Sequence, residues 1–186
     1  MMNRIFNFVR ARLKKYILEE IWLEDYIKMG MKIGENCSIQ PGVIFDYSHC
    51  WLIKIGNNVT IAPQAYLLTH DASTKSITNY TKLGSITIED NVFIGARALI
   101  MPGVTIGKNS IVGAGSIVTK SIPSDSVAVG NPAKVVATVQ EYLNKTNHLI
   151  EKSHTYDHSY TIKGKISANN KDKMYQELMN EMGFVV

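Results

Sequence analysis

Two short stretches of this chain hold residue types that can move protons: "FDYSHC", with Asp46, His49 and Cys50, and "THD", with His70 and Asp71. An imidazole is substantially neutral near pH 7, so it can take a proton from a hydroxyl during transfer and return it to a leaving group. Asp71 beside His70 offers either a carboxylate to orient the ring or a turn-forming side chain. Neighbouring side chains at a strand end diverge, which favours the turn. Cys50 suggests a covalent acyl-thiol route, but no protease-like cysteine context surrounds it, and direct transfer ranks ahead. His148, His154 and His158 come late in the chain without a matching cysteine or carboxylate set and read as surface residues.

The elements that must position these groups follow from an internal repeat. Aliphatic residues return every sixth position at Ile88, Ile94, Ile100, Ile106, Val112 and Val118. Four positions after each stands Val92, Ala98, Val104, Ser110, Ser116 or Ile122. The same rule runs through "IGENCS", "IQPGVI", "IGNNVT" and "IAPQAY", where Cys37 takes the small inward place and reads as core. A six-residue period punctuated by Gly-Asn, Gly-Lys and Pro-Gly fits neither an α-helix nor an alternating hairpin. It predicts short strands joined by turns, three hexapeptides to a triangular coil. Residues 18 apart then stack in parallel, and the aliphatics line the inside of an all-β solenoid.

Both chemical stretches sit where this frame fails. In the frame Ile55, Ile61, Leu67, the small inward place falls on Asp71, and the next aliphatic in phase is Ile88. Residues 71–87, polar and rich in Ser, Thr and Asn, therefore form a loop thrown off a corner, which carries His70 to the edge of a rigid scaffold. After Phe45 the column resumes only at Ile55, placing Asp46 and His49 on a second irregular corner. Ala96 and Ala114, 18 apart, occupy equivalent corners whose short side chains leave room for a long ligand arm.

The repeat, "THD" and "AVGNPAKVV" together resemble the hexapeptide-repeat acyltransferases, and within them the sugar O-acetyltransferases that act on galactosides, maltose and polysaccharide precursors. The resemblance spans roughly residues 31–137. It implies a left-handed parallel β-helix, a homotrimer, and acetyl-coenzyme A as donor to a hydroxyl of a sugar or glycan precursor, with no metal required. His70 matches the family's general base. Ala96, Ala114, Thr119, Lys120 and Lys134 match its coenzyme contacts, and Asp46 is expected at the acceptor, with a capping aspartate as the alternative. Two other classes share the repeat: γ-type carbonic anhydrases, whose three histidine ligands are not matched by His49 and His70 alone, and non-catalytic scaffolds.

The remaining sequence sets bounds. A chain of 186 residues, 45% hydrophobic, supports one globular core with appendages. A net charge of +4 favours an anionic ligand, and no motif accompanies it that would indicate nucleic acid. Two cysteines make no disulfide framework, the N-terminal apolar run is broken by charges, and no stretch is long enough to span a bilayer, all of which suits the cytoplasm. The expected organisation is an amphipathic helical segment at 1–30, the β-helix at 31–137 and a helical tail at 138–186. Ile5, Phe8, Val9, Leu13, Tyr16 and Ile17 form an apolar stripe in the first segment. It suits a cap on the solenoid better than a peripheral membrane contact, although a lipid-linked acceptor would favour the latter.

Overall fold

Stacked coils hold most of the strands in a computed structural model that describes residues 21–186. The N-terminal apolar stripe lies outside those residues. Three parallel sheets form the faces of the solenoid. The first face stacks Lys32–Ile33, Ile53–Ile55, Ile86–Ile88 and Thr105–Ile106. The second stacks Ser38–Ile39, Thr60–Ile61, Phe93–Ile94, Ile111–Val112 and Ser126–Gly130. The third stacks Ile44–Phe45, Tyr66–Leu67, Leu99–Ile100 and Ile117–Val118. One strand, Ala133–Thr138, runs antiparallel to Ser126–Gly130 and closes the second face.

Register shows why the aliphatics recur. Ile61, Ile94 and Val112 are mutual partners on one face, and Leu67, Ile100 and Val118 on another. All six are fully buried, as are Ala98, Ser110 and Ser116 at the small places. A single coil could not hide them, because each side chain is covered by the coil above and below. Where the frame holds, partners are 18 residues apart, as in the Asn91–Asn109 pair. Across the break at Asp46 the spacing grows to 22, and across the break at His70 to 33.

The corner between the first and second faces is held by a ladder of three amides and a carboxylate. Asn58 donates to Asn91 at 3.0 Å, Asn91 to Asn109 at 3.0 Å, and Asn109 to Asp125 at 2.8 Å. All four residues have φ between +55° and +59°. Asparagine and aspartate tolerate this left-handed conformation, so one residue type supplies both the bend and the bond between coils.

The excursion after Leu67 is more ordered than the loop expected from composition. His70–Asp71 pairs antiparallel with Lys82–Leu83, and the arm between them includes a short helix, Lys75–Thr78, which ends at left-handed Asn79. Ile86 is already buried, so the inward column resumes two residues before Ile88.

The chain forms two compact units, one ending at Thr138 and the other running Val139–Val186. The second contains helices Val139–Lys152 and Ala168–Glu177 together with a parallel strand pair, His154–Tyr156 with Gly183–Val185, that no sequence pattern announced. Its centre is Tyr156, 5% exposed, whose hydroxyl donates to Glu177 at 3.0 Å. Among the described residues no helix is long and apolar enough to cross a membrane.

Candidate active site

The two frame breaks converge. After Phe45 the chain leaves the third face in a short 3-10 segment, Tyr47–Leu52, which Asp46 caps by accepting the Ser48 N–H on Oδ1 at 3.1 Å. One coil on, Tyr66–Leu67 stacks directly over Ile44–Phe45, so the residues after Leu67 emerge beside Asp46. Asp46 Oδ2 accepts the Thr69 N–H at 2.9 Å, the Thr69 hydroxyl at 2.7 Å and His70 Nδ1 at 2.5 Å. The carboxylate is 2% exposed and the imidazole 30%. A buried anchor therefore holds a ring that reaches solvent.

Electrostatics fix the proton positions. Burial pushes the Asp46 carboxyl up, but hydrogen bonds from the Thr69 hydroxyl, the His70 ring and the Thr69 N–H, with the charge of His70, outweigh it and hold it below the usual carboxylate range. An ionised carboxylate only accepts, so Nδ1 of His70 carries a proton, and in the neutral ring the lone pair is on Nε2. An imidazole so arranged can take a proton at Nε2 while Asp46 stabilises the cation that forms.

Of the two roles expected for Asp46, acceptor contact or cap, the geometry shows the cap. Both oxygens are engaged inside the protein, and it serves His70 as cap and anchor. Asp71 makes a turn, accepting the Ser73 N–H at 2.9 Å. Cys50 is fully buried, and desolvation raises its thiol pKa, which keeps it protonated and a poor nucleophile. Cys37 Sγ lies 3.1 Å from the Gly56 carbonyl at the edge of the core.

The other expected residues lie on different corners. Ala96 and Ala114 stack at the turn between the second and third faces, where the Gly115 N–H donates to the Ala96 carbonyl at 2.8 Å. Gly95 lets these coils approach. A Cβ there would stand 2.4 Å from the Ala114 nitrogen. Thr119 and Lys120 follow Ile117–Val118 at the far end of the third face, and Lys134 pairs with Val129 in the antiparallel hairpin; all three are exposed. The fold thus brings Asp46 to His70 and Ala96 to Ala114 as two separate clusters.

One residue escaped the sequence reading, and so did the placement of another. Thr69 supplies two of the donors to Asp46 and is fully buried; its place beside His70 in "THD" was the available signal. His49 stands with its ring centroid 5.7 Å from that of His70 and 5.3 Å from that of Trp51. Their proximity could not be read before the two breaks were known to meet.

Comparison with known proteins agrees with this architecture. A family model described as the hexapeptide repeat of succinyl-transferase matches residues 85–120. The galactoside O-acetyltransferase of Lactococcus lactis is 35% identical over 73% of this chain and 72% of its own length. The chain belongs to the hexapeptide-repeat acetyltransferases. The galactoside O-acetyltransferase of Escherichia coli, another member, is 38% identical over 63% of this chain and 69% of its own. A candidate acetyltransferase of Schizosaccharomyces pombe is 44% identical over 48% of this chain, and this chain spans only 44% of it.

Proposed function

We propose that this hexapeptide-repeat acetyltransferase moves an acetyl group from acetyl-coenzyme A to a hydroxyl of a sugar or glycan precursor, with His70 as general base. The observation that carries the reading is the Asp46–His70 pair, a partly exposed imidazole whose Nδ1–H is tied to a buried carboxylate. Nε2 takes the acceptor proton as its oxygen attacks the thioester carbon. The tetrahedral adduct then expels the coenzyme thiolate, which recovers the proton from Nε2. The galactoside enzymes among its relatives support a sugar acceptor.

Ala96 and Ala114 would let the pantetheine arm lie against the coil, while Thr119, Lys120 and Lys134 would meet its polar and phosphate groups. The His70 and Ala96 clusters belong to different corners of one chain. A left-handed coil assembled as a trimer in the cytoplasm would let a corner of one subunit face the imidazole of the next. The β-helix domain at 31–137 would then hold the whole machinery, with the segments at 1–30 and 138–186 as appendages. Incubating the purified chain with acetyl-coenzyme A and a panel of sugars, nucleotide sugars and lipid-linked sugars, while following free thiol, tests the reaction. Thiol release with none of them, or a fully active monomer by light scattering, would overturn the corresponding part.

A further inference from the structure

We infer that Asp46, His49 and His70 form a binding site for a divalent cation of the zinc class, which when filled removes the lone pair that His70 needs as a base. Each of the three residues offers one ligand atom, and these atoms lie within 4.8 Å of one another. The set is two imidazoles and one carboxylate, and the two borderline nitrogen donors favour zinc, cobalt or nickel over magnesium or calcium, which seek oxygen.

A second observation points to a ligand. His49 Nδ1 is buried and has no hydrogen-bond partner among the described residues. A polar atom left so is costly, and a metal bond is one way to satisfy a neutral imidazole nitrogen. The surroundings also match those of a metal site. The carboxylate is already oriented by the N–H and hydroxyl of Thr69, the kind of outer support that metal-ligating carboxylates have. His49 interrupts its 3-10 segment at φ −144°, ψ 38°, so its ring position is not dictated by helical geometry.

Tetrahedral zinc with bonds of about 2.0–2.1 Å sets neighbouring ligand atoms roughly 3.3 Å apart. The His70–Asp46 contact must therefore open by about 0.8 Å and His49 must move in, both within reach of side-chain rotation. The ion takes the lone pair of His70 Nδ1 and the ring proton shifts from Nδ1 to Nε2, so no proton is gained or lost. Nε2 then carries hydrogen and cannot accept one. Water fills the fourth position. The ion binds by geometry alone; only its effect on turnover rests on His70 being the base.

Cobalt(II) is the probe, added to the full-length purified protein. One ion per chain is expected, with the intense visible bands of a four-coordinate site, displaced by zinc. His49→Ala should weaken binding by at least about tenfold, while His154→Ala, in the C-terminal unit, should leave it unchanged. His49→Phe keeps the ring against Trp51 and decides the matter if the alanine variant unfolds. Nitrogen-15 spectra of the His70 ring should show the proton on Nδ1 without metal and on Nε2 with zinc. Bands that are absent in cobalt excess, or that survive both His49 variants, overturn the site. A protein that binds cobalt in this way yet transfers no acetyl group would instead sink the acetyltransferase reading and leave the site standing.

Discussion

Asp46 Oδ2 stands 2.5 Å from His70 Nδ1 although 24 residues separate them along the chain. The meeting is a product of coil stacking. Phe45 and Leu67 are partners on the third face, and the chain leaves the regular frame immediately after each. The proposed general base and its anchor thus arise from two defects placed one above the other in a rigid column.

Removing the imidazole should separate chemistry from folding. His70→Ala is expected to lower turnover by about two to four orders of magnitude, the usual worth of a positioned base. The affinity for acetyl-coenzyme A, measured by calorimetry, should stay within about threefold, because the corners at Ala96, Ala114 and Lys120 are untouched. Turnover within threefold of the parent would rule out His70 as the base.

Asp46→Asn should reduce both activity and acid sensitivity. An amide nitrogen facing the Thr69 and His70 donors leaves the ring unanchored, and turnover should fall by about one to three orders of magnitude. The folded-state pKa of Asp46 is depressed, so its contribution to stability is present above the unfolded carboxylate value near 4 and is lost as pH falls through the folded value. Melting temperatures recorded from pH 6 down to pH 3 should drop more steeply in the parent than in Asp46→Asn. Parallel curves would show that the carboxylate is not held down by its partners.

Gly95→Ala probes the corner proposed for the coenzyme. The added Cβ would meet the Ala114 nitrogen at 2.4 Å, and backbone cannot swing aside as a side chain can. A stability loss of about 1–3 kcal/mol is expected. If the Ala96–Ala114 corner holds the coenzyme, the KM for acetyl-coenzyme A should rise while the pH profile set by His70 keeps its shape. An unchanged KM in a folded variant would move the coenzyme to another corner.

How far the sequence could be read depended on periodicity. The six-residue column named in advance the buried residues of the coils from Ile55 to Val118, because a solenoid repeats one environment and the repeat is visible in one dimension; in the first coil Ile33, Cys37 and Ile39 are only partly buried. The breaks at Asp46 and Asp71 were visible as failures of phase, but phase says nothing about which corner a broken strand returns to. From sequence, Asp46 therefore reads as an acceptor contact or a cap, and Asp71 as the nearer carboxylate that could partner His70. The arm at 71–87 hid its hairpin and helix behind a polar composition. The strand pair around Tyr156 was hidden for another reason: two three-residue strands some 30 positions apart carry too few residues to show a period.

Thr69→Val isolates the support beneath the anchor. Valine keeps the shape and the backbone N–H, so only the 2.7 Å hydroxyl bond to Asp46 is lost, and the site is fully buried. Leaving a buried carboxylate short of one donor should cost about 1–3 kcal/mol. The Thr69 hydroxyl heads the influences that hold the Asp46 pKa down against burial. Without it the folded-state pKa rises toward the unfolded one, the stability gained from ionisation shrinks, and acid unfolding begins at higher pH than in the parent. Turnover should fall less than in Asp46→Asn, since the carboxylate still accepts from His70 and from the residue 69 N–H. Measuring the acid-unfolding midpoint and kcat on the same variant decides it. An unmoved midpoint with a large loss of kcat would mean that Thr69 acts on the substrate rather than on Asp46.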